Sequence, residues 1–250
     1  MTQGPANAVL LAAGQGSRLA PLTDRTHKSL LPVCGKPVLQ FIVDRLLSSG
    51  CQDIVCVTGY KQHEVEQFLQ SAYGNLVRTV HNERYAEDTN VLSTELGVST
   101  LRRPNLGYLI VETDLIMDDA AWDRTLKIAP SEPSFWVTKG RYSPKLTGGA
   151  LRATESLEVA EIIYAPNYNP RYEGWLKLLG ILYVGPAQVG TDRRTRQRAI
   201  ERSIKQYYMA PWVQNLRNLP CVARDLGKFF AQSYNDLSAY QRAARDYEQI

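Results

Sequence analysis

The residues with the most chemistry in their spacing lie near the start of the chain. Leu11-Ala12-Ala13-Gly14-Gln15-Gly16-Ser17-Arg18 carries an apolar run into a glycine-rich turn, and Lys28 follows in the same connection. Glycines let a backbone turn sharply and let a ligand approach it closely. Successive N–H groups in such a turn, with a helix start behind them, cradle phosphate oxygens. Arg18 adds a permanently charged fork suited to β- and γ-phosphates, and Lys28 adds a second cation. The turn is not a P-loop, because G-x-x-x-x-G-K-[ST] is not matched. It is not a dinucleotide fingerprint either: Leu19 stands where the third glycine belongs, and no acid ends the second strand. The plain alternative is a tight strand-to-helix turn with surface cations, and the spacing of Arg18 and Lys28 weighs against it.

Asp114 is the second anchor. It follows the apolar run Tyr108–Val111, and a carboxylate at the end of a parallel strand can hold Mg²⁺ beside a phosphate. Its competing role is a loop carboxylate that caps the next segment, where Asp118 and Asp119 are equally acidic. Glu112 alternates with Asp114 and would share its face of an extended strand. Cys34, Cys51, Cys56 and Cys221 make no C-x-x-C pair, and the three histidines do not supply a structural zinc site. Packed, reduced thiols are the expected state.

Basic residues in the second half are candidates for holding the phosphate of a second substrate, an acceptor. Lys177 enters the apolar run Trp175–Ile181. A lysine there needs an anionic partner, which makes it a candidate for an acceptor phosphate, or it snorkels from a sheet edge. Lys139, Arg141 and Lys145 form a basic loop after Phe135–Thr138 and are candidates for the same acceptor, whereas Arg193, Arg194, Arg196 and Arg198 read as a solvated helix face. Tyr168, Tyr172 and Trp175 either pack together or cage a quaternary ammonium by cation–π contact.

These residues need a scaffold, and the hydrophobic pattern supplies one. Ala8–Ala13 and Ile54–Thr58 read as buried strands, as do Leu76–Val80 and Tyr108–Val111. Val38–Leu47, Gln62–Tyr73 and Asn90–Leu101 read as helices between them, the last capped by Asn90 or Thr89. Alternating strands and helices predict an α/β fold with a parallel sheet covered on both faces, and such sheets bind ligands at their strands' carboxyl ends. Beyond residue 118 the pattern changes. Phe135–Thr138, Ala150–Ala153, Val159–Ile163 and Ile181–Val184 are predicted strands, and Thr191–Tyr208 and Asn235–Gln249 predicted helices. An antiparallel extension of the sheet or a small acceptor-binding lobe is expected there.

The 250 residues suit one domain, with a nucleotide-binding half over 1–118 and an acceptor-binding half over 119–250. The composition is 44% apolar and 22% charged, with a formal net charge of +4. That balance excludes wholesale disorder and fits small anionic ligands rather than nucleic acid. No apolar run reaches the ~20 residues of a membrane span, and no basic leader opens the chain, so a cytoplasmic protein without a membrane partner is expected. A homodimer is left open.

The segment Leu10–Thr23, continued by His27-Lys28-Ser29-Leu30-Leu31-Pro32-Val33-Cys34-Gly35-Lys36-Pro37, resembles the signature of the sugar-phosphate nucleotidyltransferase superfamily, G-x-G-[ST]-R followed by P-K-x-L-x-P-V-x-G-K-P. His27 stands where that signature has proline. His81–Leu96 resembles the N-x-x-Y-x-x-x-x-N-x-x-S-L pattern of the bacterial phosphocholine cytidylyltransferase group. The resemblance is specific over the first 40 or so residues and weak beyond about residue 118. It implies a Rossmann-like three-layer α/β/α fold with a mostly parallel mixed sheet and a small antiparallel acceptor-binding lobe. It also implies a Mg²⁺-dependent reaction in which an NTP, CTP first, joins a small phosphorylated acceptor and pyrophosphate leaves. UTP, GTP or dTTP with a sugar or cyclitol phosphate is the alternative within the same chemistry. By this resemblance Ala12, Ala13 and Gly14, with Leu11 beside them, line the nucleobase and ribose pocket. Gly16, Ser17 and Arg18 hold the triphosphate, Lys28 meets phosphate at the reacting centre, and Asn82, Asn90 and Ser93 lie near the nucleoside. Asp114 binds the metal. A second, late aspartate is expected by resemblance, but the aligned positions are Tyr208 and Met209. Asp192, Glu201 or Asp225 would have to substitute, or the metal is held by Asp114 with phosphates and water, or the chain is a nucleotide-binding regulatory module without full activity.

Overall fold

The computed structural model describes residues 4–129 and 131–250. In chain order the first half runs β1 (Asn7–Ala12), α1 (Leu22–Arg25), β2 (Pro32–Val33), β3 (Lys36–Pro37), α2 (Val38–Ser48), β4 (Asp53–Thr58), α3 (Gln62–Tyr73), β5 (Val77–His81), α4 (Val91–Thr100), β6 (Tyr108–Glu112) and β7 (Leu115–Met117). The second half adds α5 (Asp119–Leu126), β8 (Phe135–Arg141), β9 (Gly148–Ala153), β10 (Val159–Ala165), β11 (Leu176–Val184), α6 (Val189–Arg202), α7 (Ala210–Asn215), β12 (Val222–Asp225), β13 (Ala231–Ser233) and α8 (Leu237–Tyr247).

Nine strands form one mixed sheet, with the order β10-β9-β11-β6-β1-β4-β5 and with β8 and β12 attached through β11. β6, β1, β4 and β5 are parallel. β1 is buried at every residue, as a strand covered on both faces must be, and this is why it reads as a continuous apolar run. Its side chains alternate. Ala8, Leu10 and Ala12 join a core with α2 and α3, while Val9 and Leu11 join a second core with α4. The chain leaves β1 toward β4 on one side and returns to β6 on the other. The carboxyl ends of β1 and β6 therefore form a topological switch point, where open α/β sheets take their ligands.

The expected antiparallel strands continue this sheet. β11 pairs with β6, β8 and β9, and β9 with β10, all antiparallel. β11 starts earlier than the predicted strand and slips register between Leu178 and Leu182. The predicted helix over Thr191–Tyr208 ends at Arg202. Beyond it, the carbonyls of Ile204 and Gln206 accept from the N–H groups of Thr89 and Val91, and the segment turns to meet the start of α4. Alpha-helix α8 begins two residues past the predicted start, because Asp236 caps it by accepting from the Ala239 N–H at 2.8 Å. The small β7–β13 sheet and helix α5 had no distinct signal in the hydrophobic pattern. Among the described residues no helix is long and apolar enough to cross a membrane.

Candidate active site

The glycine turn is built so that Lys28 can fold back under it. Gly16 has φ of 65° and caps a short 3-10 turn over Ser17–Leu19. A Cβ at Gly16 would sit 3.3 Å from the Lys28 stem, so glycine supplies both the left-handed backbone and the close approach. The Thr23 hydroxyl donates to the Gly16 carbonyl at 3.1 Å. The turn after β4 clamps the far side of the loop: Tyr60 Oη donates to the Thr23 carbonyl at 3.3 Å, and Lys61 Nζ donates to that of Asp24 at 2.9 Å. The Glu64 carboxylate accepts from the His27 N–H and the Thr26 hydroxyl. His27, in the place of the signature's proline, caps the turn over Lys28–Leu30 by accepting from the Ser29 N–H at 3.2 Å, and its Nδ1 lies 2.8 Å from Ser29 Oγ. Burial, and then the charge of Lys28, push the His27 pKa down to about 3, so the ring is neutral at ordinary pH.

Lys28 Nζ donates to Asp114 Oδ2 at 2.8 Å. Burial alone would lower the ammonium's pKa, but the Asp114 carboxylate reverses this and leaves it above the usual lysine value. Asp114 is held from behind by the Tyr234 N–H, which donates to its carbonyl at 3.0 Å, and Tyr234 Oη donates to the Lys28 carbonyl at 2.9 Å. The neighbouring Thr113 hydroxyl donates to the Leu11 carbonyl at 3.0 Å and ties the ends of β1 and β6 together. Asp114 Oδ1 is buried and has no hydrogen-bond partner among the described residues.

The cleft over this pair has two lobes. One is lined by Leu11, Ala13, Gly14, Lys28, Asn90 and Ser93, with Asp114 at its floor. The other is lined by Arg18, Gly148, Gly149, Tyr164, Lys177 and Tyr208. Glu112, Tyr207 and Asn235 line both. Burial, and then the charge of Asp114, push the Glu112 pKa up to about 7 against the pull of Lys28 and Lys177. Burial pushes the Lys177 pKa down to about 8, opposed by Glu112. Lys177 Nζ donates to the Leu178 carbonyl at 2.8 Å.

A family comparison applies to these residues directly. The model described as "Nucleotidyl transferase" matches residues 7–138, a span that includes the glycine turn, Lys28 and Asp114. The chain belongs to this family. Similar proteins include the 2-aminoethylphosphonate cytidylyltransferase of Lancefieldella rimae, 36% identical over 45% of this chain and 44% of that protein. The choline-phosphate cytidylyltransferase of Streptococcus pneumoniae is 38% identical over 36% of this chain and 38% of that protein. The matched stretch thus spans less than half the length of these relatives. Among solved structures, the CTP:phosphocholine cytidylyltransferase from Streptococcus pneumoniae superposes with a TM-score of 0.81 at 21% identity, covering 96% of this chain and 98% of that one. The inositol-1-phosphate CTP transferase from T. maritima gives 0.76 at 12% identity, over 100% and 98%. At these identities the likeness establishes the fold.

Within this nucleotidyl transferase fold the sequence candidates divide. Leu11, Ala13, Gly14, Lys28, Asn90, Ser93 and Asp114 come together in one lobe, and Arg18 and Lys177 in the other. Ala12 does not join them, because alternation along β1 turns it into the core beneath α2. Gly16 shapes the loop, and Ser17 is exposed on it outside both lobes. Asn82 is buried and fully used: its Nδ2 donates to Asp88 and Ser93, each at 2.9 Å, and its Oδ1 accepts from the Arg84 N–H at 3.0 Å. Asn90 precedes α4 but its side chain does not cap it. Asp88 accepts from the N–H groups of Leu92 and Ser93 instead, and Asn90 Oδ1 accepts from the Tyr208 N–H at 2.7 Å.

On the acceptor side, Lys139 lines neither lobe and donates to the Gly227 carbonyl. Tyr168, Tyr172 and Trp175 also stand outside the cleft. Tyr142 stacks on Tyr168, while Arg171 and Arg152 lie over Tyr172 and Trp175. Arg196 is not part of a solvated face: it is buried between Asp192 and Glu95. None of the proposed substitutes for the second aspartate reaches the cleft. Asp192 is buried against Arg196, Tyr108 and Trp212, Asp225 accepts from Thr138, and Glu201 is on the exposed face of α6. Glu112 and Asn235 do line the cleft with Asp114, and Asn235 Oδ1 accepts from Arg18 Nη2 at 3.2 Å. The alternation of Glu112 with Asp114 signals the first. Asn235 was legible only as part of a helix start, since the neighbouring Asp236 carries the capping signature.

Proposed function

We propose that this nucleotidyl transferase joins an NTP, with CTP as first choice, to a small phosphorylated acceptor and releases pyrophosphate. The observation that carries the reading is the pair of half-buried Lys28 and buried Asp114 in a two-lobed cleft. The lobe beside the glycine turn takes the nucleotide, and the lobe of Lys177 takes the acceptor. The cytidylyltransferase names of the relatives support CTP, and relatives named UTP–glucose-1-phosphate uridylyltransferase, such as that of Streptococcus pneumoniae (41% identical over 29% of this chain), support UTP as the second reading.

An oxygen of the acceptor phosphate attacks the α-phosphorus in line. A P–O bond forms there as the bond to the β-phosphate oxygen breaks. The acceptor phosphate is largely dianionic near neutral pH, its second pKa being about 6, so no general base is required, and the chain's work is positioning and charge stabilisation. Lys28 offsets negative charge at the reacting centre. Arg18 lines the Lys177 lobe but meets Asn235 where the two lobes join, and from there it exchanges that contact for phosphate oxygens of the leaving pyrophosphate, which the N–H groups of the glycine turn also meet. Lys177 anchors the acceptor phosphate. Asn90, whose Oδ1 is held by the Tyr208 N–H, offers its amide nitrogen to the nucleoside.

The residues fit Mg²⁺. Among the described residues, Asp114 presents a buried oxygen without a hydrogen-bond partner, and no cluster of three or more acidic, His or Cys ligands occurs. That donor set suits an ion bound through one or two carboxylates plus phosphates and water. When bound, the ion supplies Lewis-acid stabilisation of phosphate charge. The alternative of a regulatory module without turnover rests on the missing second late carboxylate; Glu112, which lines the same cleft, supports the catalytic reading against it.

The test is a pyrophosphate-release screen of four NTPs against phosphocholine, amino-alkylphosphonates, cyclitol phosphates and sugar phosphates with Mg²⁺. Turnover with one pairing is the expected result. NTP binding without turnover on any acceptor would favour the regulatory module.

A further inference from the structure

Glu112 is a carboxylate that no donor among the described residues satisfies. It is the last residue of β6, its side chain lies in the walls of both lobes, and only charges at a distance act on it: Asp114, Lys28 and Lys177. Space for it is built in from the opposite strand. Gly180, at φ 85°, lies within the irregular register of β11, and a Cβ there would come within 2.7 Å of Glu112 Oε2. A side chain at position 180 would therefore expel the carboxylate. Two residues on, Asp114 is 3% exposed and holds a buried Oδ1 without a partner among the described residues.

The nearby cations do not answer Glu112. Lys28 is spent on Asp114 Oδ2, and Lys177 donates to the Leu178 carbonyl. At the junction of the lobes, Glu112 would face the acceptor phosphate on one side and the triphosphate on the other. An uncompensated carboxylate there repels both substrates, and in a buried site that repulsion is barely screened. A divalent cation shared with the free oxygen of Asp114 removes the conflict.

We propose that Glu112 and Asp114 together hold the divalent cation, with Glu112 as the second carboxylate ligand in place of one supplied late in the chain. This rests on the proposed reaction for the placement of the phosphates, but not for the carboxylates themselves. Both ligands come from the end of one strand, so the site is formed before nucleotide arrives.

The test is titration of the full chain with Mn²⁺ alone, followed by electron paramagnetic resonance, for the wild type, E112Q, E112D and D114N. The wild type should bind Mn²⁺ without nucleotide. E112Q and D114N should each weaken it by roughly tenfold or more, and E112D, which keeps the charge on a shorter stem, by less. Thermal melts check folding, and E112D carries the comparison if E112Q does not fold. Wild-type affinity in E112Q, or no Mn²⁺ binding by the wild type, overturns the assignment. Pyrophosphate release by the wild type, measured alongside, keeps the two readings apart. Turnover with an unchanged E112Q titration removes Glu112 alone, whereas a weakened E112Q titration without turnover on any acceptor supports the site and removes the reaction.

Discussion

Lys28 Nζ and Asp114 Oδ2 meet at 2.8 Å although 86 residues separate them in the chain. The contact joins the glycine-turn connection to the end of β6, so the cation and the buried carboxylate of the cleft are one ion pair. Lys28→Ala should lower turnover by a factor on the order of 10² or more, as loss of a preorganised charge does. Asp114→Ala should abolish the Mg²⁺-dependent rate. Initial rates of pyrophosphate release against Mg²⁺ concentration check both. A near-normal rate in the first variant removes Lys28 from the mechanism, and an unchanged Mg²⁺ curve in the second removes the metal role.

How much of this was legible beforehand depended on whether the signal was local. β1, the glycine turn and the strand before Asp114 are set by burial on both faces and by turn chemistry, and both leave marks in the local sequence. The lobe of Lys177 was less legible because β11 changes register within it, and a lysine in an apolar run does not reveal what it faces. Asn82 and Asn90 carry the same amide at neighbouring places, and only tertiary contacts distinguish them. Tyr208 N–H occupies the oxygen of one, while Asp88, Ser93 and Arg84 use up the whole of the other. Tyr208 and Met209 bring no carboxylate to the cleft; the polar residues that line it with Asp114 include Glu112, at the end of β6 itself, and Asn235, just before α8.

Lys177 should give the acceptor step a falling alkaline limb. Burial lowers its pKa to about 8, so the ammonium is present below that value and lost above it. kcat/KM for the acceptor, which reports groups of the free enzyme, should fall as pH rises through about 8. K177R, whose guanidinium stays charged, should flatten the limb. A limb that persists unchanged in K177R assigns it to another group.

His27 should make stability, rather than rate, depend on acid. Its folded pKa is about 3 against an ordinary histidine value of 6.5. Between those values the unfolded chain binds the proton and the folded chain does not. The neutral-ring contribution is therefore complete above the unfolded value and is lost as pH falls through that window. Chemical denaturation of the wild type and H27Q at about pH 7.5 and about pH 5 isolates the effect. The wild type should lose more stability than the variant on acidification, and equal losses would exclude His27 as the source.

Asn82 and Asn90 should separate stability from nucleotide binding. Asn82→Ala removes a buried side chain that braces Asp88, Ser93 and the Arg84 N–H, which costs about 1–3 kcal/mol for buried groups left unsatisfied. In a domain of this size each kcal/mol lowers Tm by roughly 2–4 °C, while KM for the NTP should change little. Asn90 is partly exposed in the nucleotide lobe, and its amide nitrogen makes no hydrogen bond among the described residues. Asn90→Ala should raise KM for the NTP by up to about tenfold, the worth of one hydrogen bond, with a smaller change in Tm. Melting curves and NTP saturation curves on both variants decide it, and the reverse pattern would exchange the two roles, making Asn82 the ligand and Asn90 the brace.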